Sequence, residues 1–380
     1  MPVPILHVCD KFGVAGSSTH GVSRLFSWWF PRFDPRFDVK LCGLKSPEPG
    51  SRALEVAGIP VHHLGRGPFD PRLLIDLVRL VRASGARVLH VHGYAAADFG
   101  RLAARLTGAA LVLHEHFADP RMPAYQGLAD RLLARFTDAA LAVSSSTADF
   151  LVRDRHVPAE RVRVVYSGVP LDEFGGADAA EGQAVRAALD LPRDACVIGS
   201  IGRLNAQKGH RFLLDAAARV LARRDDVRFL IVGDGDLDEP LRRQAAELGI
   251  LSRVIFAGHR TDIPAVFQAI DVLCISSTYE GTPLVLFEAM AAGRAIVSTA
   301  VDGCREILED GDTGILVPVS DAASLADGLL RVIENGTLRG HLGQSARRAV
   351  AAYDVREAVR KIEAVYDELI AGASRPGRGT

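Results

Sequence analysis

The chain is short of cysteines, of aromatics and of long apolar runs, and each shortage removes a class of protein. Its five cysteines, Cys9, Cys42, Cys196, Cys274 and Cys304, are scattered, with no CxxC pair and no histidine partner at metal-ligand spacing. That scatter reads as a reduced, metal-free, cytoplasmic protein, not as a disulfide framework or a zinc site. No uncharged apolar stretch approaches the ~20 residues of a membrane-crossing helix. The opening MPVPILHVCDKF also has too few apolar residues for a signal-peptide core. Any membrane contact is therefore expected to be peripheral, at the inner face. No GxGxxG stands after the first apolar run, so a dinucleotide-dependent dehydrogenase lacks its central motif. The net charge of −1 covers a basic first half and an acidic second half. The basic half suits an anionic or membrane-proximal acceptor, or simply arginine-rich solvated helix faces, and no nucleic-acid partner is expected.

What is present is regular alternation. A chain of 380 residues exceeds the usual size of one core, so two domains are expected. In the first half, strand-like runs at 5–9, 39–44, 87–92, 110–116, 140–144 and 163–166 alternate with stretches of helical spacing at 71–84, 98–107 and 125–136. The pattern restarts at 196–202 and continues at 228–233, 254–258, 271–276, 295–299 and 314–318. Strand and helix in strict turn predict an α/β fold of two doubly wound parallel sheets, with ligands at the carboxyl ends of the strands in an interdomain cleft. The expected division is 1–171 for the first domain, a linker at 172–194 that carries a Gly-Gly pair, and 195–353 for the second. The last helix, 354–371, is expected to cross back onto the first domain.

Two motifs carry chemistry. In EGTPLVLFE, Glu280 to Glu288, a strand ends at Glu280, turns at Gly281 and enters a helix at Pro283, with Thr282 placed to cap it. The amides of Leu284, Val285 and Leu286 then face outward with a positive dipole end of about half a charge behind them, and the expected guest is an anion, most simply a phosphate. Glu280 and Glu288 flank that site as acceptors for neutral hydroxyls, such as those of a sugar and a ribose. In GSIGRLNAQKGH, Arg203 ends a strand and Lys208 lies in the loop before the next helix. Two fixed cations beside a helix start suit a diphosphate.

GRLNAQKGH, VGDGDLDEPLRRQA, the segment 256–308 and DGDTGILVP (310–318) together resemble the nucleotide-sugar half of GT-B glycosyltransferases, specifically the retaining group called family 4. VLHVHGY and LVLHEH match the first half more loosely. The resemblance implies a GT-B fold of two Rossmann-like domains and a hexosyltransferase-like enzyme that moves a sugar from a nucleotide-diphosphate sugar to an acceptor hydroxyl, with retention, without a metal and with no cofactor. It implies that Arg203 and Lys208 bind the diphosphate, that Glu280 holds donor-sugar hydroxyls and Glu288 the ribose, and that the backbone from Gly281 through Thr282, Pro283 and Leu284 to Val285 closes around phosphate and sugar. It places His114 on the donor sugar and Gly13 and Gly16 near the diphosphate. His92 is the acceptor-side candidate.

The glycine loop departs from the family's pattern through Ser17, Ser18, Thr19 and His20, and Ser167 and Pro170 replace polar positions at the hinge; both changes bear on the acceptor side. Acceptors remain open among a glycan, a lipid-linked saccharide and a small molecule. A sugar-nucleotide epimerase on the same architecture and a non-catalytic glycan-binding relic stand as alternatives. HEHF is not read as a metal site, because strand alternation sends Glu115 to the face opposite His114 and His116. SWWFPRF reads as a buried helix end or as a membrane-touching patch.

Overall fold

The structure is a computed structural model that describes residues 1–13, 21–119 and 122–373. The chain forms two compact units: one runs to Ser167 and regains the chain from Val355, and the other is Gly168–Asp354.

The first unit holds seven parallel strands: β1 (Val3–Cys9), β2 (Phe37–Gly43), β3 (Val61–His63), β4 (Val88–His92), β5 (Ala110–Glu115), β6 (Ala139–Ala142) and β7 (Val162–Val164), in the order β3-β2-β1-β4-β5-β6-β7. Six of these fall on the strand-like runs of the sequence. β3 does not, because VHH has no apolar run, and it forms only as an edge strand paired to Leu41–Gly43. The second unit holds six: β8 (Cys196–Ile201), β9 (Val227–Val232), β10 (Val254–Phe256), β11 (Val272–Ile275), β12 (Ala295–Thr299) and β13 (Ile315–Val317), in the order β10-β9-β8-β11-β12-β13. Every named pair is parallel, and the central strands are buried on both faces, as the near-continuous Val, Ile and Leu of β9 and β11 require. In each sheet the order reverses beside the first strand, between β1 and β4 and between β8 and β11. A crevice opens at the carboxyl ends of such a pair.

The stretch 172–194 corrects the expected linker, and the second unit begins earlier than residue 195. It folds as helices Leu171–Gly175 and Ala179–Ala188 within that unit. Gly175 and Gly176 end the first of these helices, and Asp178 caps the second through Ala180 N–H. A few apolar anchors, Phe174, Val185 and Leu191, suffice for burial. The guanidinium of Arg186 adds bonds to the Ala269 and Ala195 carbonyls and to the Asp271 carboxylate.

Helix Val355–Ala373 belongs to the first unit. Val359, Ile362 and Tyr366 form its buried stripe, at helical spacing. Glu363 accepts the Asp34 amide at 2.6 Å, Arg36 is bidentate on Asp367 at 3.0 and 2.8 Å, and Arg163 reaches Glu368 at 2.6 Å. Trp28 and Trp29, at the end of helix Gly21–Trp29, are buried, which settles SWWFPRF as a helix end. Among the described residues, no helix is long and apolar enough to cross a membrane.

Candidate active site

In the second unit, the loops after β8 and β11 meet at the sheet's switch point. The turn Ala206–Lys208 is capped by Asn205, whose side chain accepts the Lys208 amide at 3.2 Å. The Ser276 hydroxyl donates to the Lys208 carbonyl at 2.8 Å, Thr278 N–H donates to the Gln207 carbonyl at 2.8 Å, and the Gln207 amide donates to the Tyr279 carbonyl at 3.1 Å. Gly209 makes this approach feasible: its φ is +63°, and a Cβ there would stand 2.1 Å from the Ser276 carbonyl oxygen.

Knitted in this way, the loops bring together two residues that the sequence separates widely. Lys208 Nζ donates to Glu280 Oε1 at 2.6 Å, and the Ser277 hydroxyl donates to the same oxygen at 2.9 Å. The Glu280 side chain is only 9% exposed and that of Lys208 20%, so the pair is held largely out of water. Arg203, on the same loop, is half-buried and makes no ion pair with any described residue. One of the two expected diphosphate cations is thus neutralised by the expected sugar ligand, and the other has no acidic partner among the described residues.

Helix Leu284–Ala291 begins beside the pair, with Pro283 as its N-cap. This shifts the expected cap by one residue, since Thr282 precedes it and Pro283 is not inside the first turn. The Leu286 amide is also taken, donating to the Pro283 carbonyl at 3.0 Å. The outward amides are therefore those of Leu284 and Val285. Gly281 lies in the turn against Gly303, where a Cβ would meet the Gly281 carbonyl oxygen at 1.3 Å. Glu288 is wholly buried within the helix.

A small depression is lined by Lys208, His210, Ser276, Ser277 and Val285. His210 was missed in the sequence, although it directly follows the Lys-Gly of the quoted motif. It opens helix His210–Leu221 and is 1% exposed. Neither ring nitrogen has a hydrogen-bond partner among the described residues. Burial, and secondarily the charge on Lys208, pushes its imidazole down to about 3, so it is neutral at physiological pH.

In the first unit, His114 is fully buried at the end of β5, stacked on Trp29 with centroids 5.3 Å apart. Its Nδ1 faces His90 Nε2 at 3.2 Å, and its Nε2 has no partner among the described residues. His92 is less available than expected for an acceptor: Nδ1 meets His116 Nε2 at 3.0 Å and Nε2 meets His7 Nδ1 at 3.1 Å. Three nitrogens, one each from His7, His90 and His92, lie within 4.8 Å of one another, a grouping that spacing along the chain does not reveal. Both nitrogens of each of these rings are already engaged in hydrogen bonds, so ligating an ion would break them. Glu115 does face the other way, onto Arg155, and burial pushes its carboxyl up to about 7.

The Gly13 amide is occupied, donating to Glu48 Oε2 at 3.1 Å, and the Phe12 amide donates to the same oxygen. An arriving anion would compete with that carboxylate. Gly16, with Ser17, Ser18, Thr19 and His20, lies outside the described residues. At the β1/β4 switch point, Asp10 accepts the amides of Ala95 and Ala96 at the start of helix Tyr94–Thr107. This helix start already holds its own carboxylate, so it is a poor seat for an anion and suits a neutral group.

Comparison with solved structures identifies the architecture as GT-B. Over 96% of this chain and 100% of the other, it superposes on the Anabaena HepE structure in complex with UDP with a TM-score of 0.84 at 23% identity. The family model for glycosyltransferase family 4 matches residues 29–173, and that for glycosyl transferases group 1 matches 195–335. The chain is 30% identical to the alpha-D-kanosaminyltransferase of Streptomyces kanamyceticus, over 77% of this chain and 79% of the relative. It is 26% identical to the UDP-Gal:alpha-D-GlcNAc-diphosphoundecaprenol alpha-1,3-galactosyltransferase of Escherichia coli, over 79% and 80%. The chain belongs to the family 4, group 1 glycosyltransferases, and is an enzyme of that class.

Proposed function

We propose that this glycosyltransferase moves a sugar from a nucleotide-diphosphate sugar to an acceptor hydroxyl with retention of configuration and without a metal or other cofactor. The Lys208–Glu280 pair carries this reading. It sits at the switch point of the second sheet, beside the outward amides of Leu284 and Val285 and on the loop that carries Arg203. A diphosphate brings charge that Glu280 cannot match. On its arrival Lys208 turns to the phosphate oxygens with Arg203, and Glu280 is released to accept from sugar hydroxyls. When the bond to the sugar breaks, charge grows on the leaving diphosphate, and the two cations and the helix-start amides stabilise it there.

Retention then follows from a same-face substitution in which the leaving phosphate oxygen takes the acceptor's proton. His114 supplies a further contact to the donor sugar, Gly13 approaches the diphosphate once Glu48 yields its amide, and Glu288 serves the ribose. The acceptor is a glycan, a lipid-linked saccharide or a small molecule. A relative named for a diphosphoundecaprenol-linked acceptor supports the lipid-linked choice. So does helix Ala124–Leu133, which exposes Tyr125, Leu128 and Leu132 beside Arg131. We place the enzyme in the cytoplasm, at the inner face of the membrane for such an acceptor.

Isothermal titration of the purified chain against UDP, GDP, ADP and dTDP, with and without EDTA, tests the proposal. Micromolar binding of one of them, unchanged by EDTA, is expected. Failure to bind any of them, or loss of binding with EDTA, would refute it.

A further inference from the structure

Five histidines lie on one face of the first unit's sheet, where aliphatic side chains are the rule. β1 and β4 pair with His7 opposite His90, and β4 and β5 pair with His92 opposite His114. His90 and His92 share a face of β4 because alternation has period two, and His116, one residue past the end of β5, keeps the face of His114. The rings form two rows. In one, His116 Nε2 meets His92 Nδ1 at 3.0 Å and His92 Nε2 meets His7 Nδ1 at 3.1 Å. In the other, His90 Nε2 meets His114 Nδ1 at 3.2 Å. The rows stack, with His90 over His92 at 4.6 Å and His114 over His116 at 4.7 Å between centroids. Tyr366, from helix Val355–Ala373, closes them into one chain: its hydroxyl lies 2.8 Å from His7 Nε2 and 2.6 Å from His90 Nδ1.

The protons in such a chain are not independent. A neutral imidazole has one N–H and one lone pair, and a tyrosine hydroxyl has one proton to give. Tyr366 cannot donate to both of its neighbours. If both donated to it, its own buried proton would have no partner, at the cost of an unmade hydrogen bond. It therefore donates to one and accepts from the other, and that choice propagates through every ring. Two states make every hydrogen bond within the chain: all five rings protonated at Nε2, or all five at Nδ1. Burial pushes His7 down to about 3 and holds His90, His92 and His114 well below the ordinary histidine range, so these rings are neutral near pH 7. The Nε2–H form is intrinsically preferred by a histidine side chain, and the chain adds that preference over five rings.

We infer that His116, His92, His7, Tyr366, His90 and His114 form a single directional proton chain, in which Tyr366 fixes His114 as the Nε2–H tautomer and is thus a positioning residue for it. In that state Tyr366 donates to His90, His90 donates to His114, and His114 presents a buried N–H with no partner among the described residues. That N–H awaits an oxygen acceptor, a hydroxyl or phosphate oxygen of a ligand. In the opposite state His114 would present a lone pair and could only accept. The effect on turnover rests on the transferase reading above, whereas the tautomer pattern does not.

Long-range proton–nitrogen correlation of the full chain, labelled with nitrogen-15 histidine at pH 7.5, reads the pattern directly. All five rings are expected to carry a proton at Nε2, with His7, His90, His92 and His114 neutral. A ring in the other tautomer, or an imidazolium among those four, would overturn the inference. Tyr366→Phe removes one oxygen at constant shape and disconnects the two rows. His90 and His114 are then expected to populate both tautomers, and unchanged shifts would remove Tyr366 from the role. In the same variant kcat is expected to fall roughly tenfold, the scale of one hydrogen bond, with nucleoside diphosphate affinity unchanged. Absence of turnover in the parent enzyme, with the tautomer pattern intact, would count against the transferase reading and leave the chain standing.

Discussion

The ammonium of Lys208 and the carboxylate of Glu280 lie 2.6 Å apart, joining the loops after β8 and β11. Each holds the other in place, and in the proposed function each takes a separate role when a diphosphate binds. The pair thus keeps an otherwise repulsive cation site assembled. Replacing Lys208 by Ala should cost about 10² to 10³ in kcat, the scale of losing one positioned donor to developing charge. Circular dichroism and the melting temperature should stay near those of the parent. Turnover at the parental rate would take Lys208 out of the site.

Gly209 is the backbone position on which this assembly depends. Gly209→Ala adds a methyl group 2.1 Å from the Ser276 carbonyl oxygen, at a φ of +63° that alanine adopts with strain. The loops must separate, and destabilisation of roughly 1–3 kcal/mol is expected together with loss of diphosphate binding. Urea denaturation and titration calorimetry measure the two effects, and a variant with parental values for both would show that the loops meet differently.

Acid should destabilise the first unit. The imidazole of His7 is depressed to about 3, and those of His90, His92 and His114 are also depressed, by burial first. Between the ordinary histidine value near 6.5 and the folded value, the unfolded chain binds more protons than the folded one. Stability therefore rises with pH through that window, is complete above about 6.5 and is lost on acidification, with a slope of about 1.4 kcal/mol per pH unit for each such ring. Burial raises Asp10 to about 6, Glu115 to about 7 and Asp98 above its ordinary value, and these three carboxyls oppose the trend as they take up protons in the folded state. Four rings outweigh three carboxyls, so the urea midpoint should be lower at pH 5 than at pH 7.5. An equal or higher midpoint at pH 5 would contradict the neutral network.

On the opposite face of the same sheet, Asp130 accepts from both Arg101 and Arg155, and Arg155 also meets Glu115. Asp130 and both arginines are wholly buried. Asp130→Ala leaves two guanidinium groups sharing only the partly compensating Glu115 and Asp98, and a loss of roughly 3–5 kcal/mol is expected. A change under about 1 kcal/mol in denaturant titration would mean that water replaces the carboxylate.

The alternation of apolar runs made most of the two sheets legible, because parallel strands buried on both faces leave a dense Val, Ile and Leu signature. β3 lacked that signature, and the stretch after Ser167 hid its helices behind a Gly-Gly pair and sparse anchors. That Arg203, Lys208, Glu280 and Gly281 would fall in the loops after strands was legible, because turn chemistry is local. What could not be read was partnership across the sheet. Nothing in HVH or HEH says that His7 and Tyr366, 359 positions apart, would close their rings into one chain. Nor does the Lys-Gly of the first loop announce that His210 would be buried beside it.

In the proposed function Lys208 leaves Glu280 to bind a diphosphate. Glu280→Gln removes the competing carboxylate and keeps the shape, so titration calorimetry of this variant against the preferred nucleoside diphosphate reads the exchange. Binding tighter by several-fold, together with loss of sugar transfer, is expected. Unchanged or weaker binding would contradict the exchange of partners and make the pair a structural clasp.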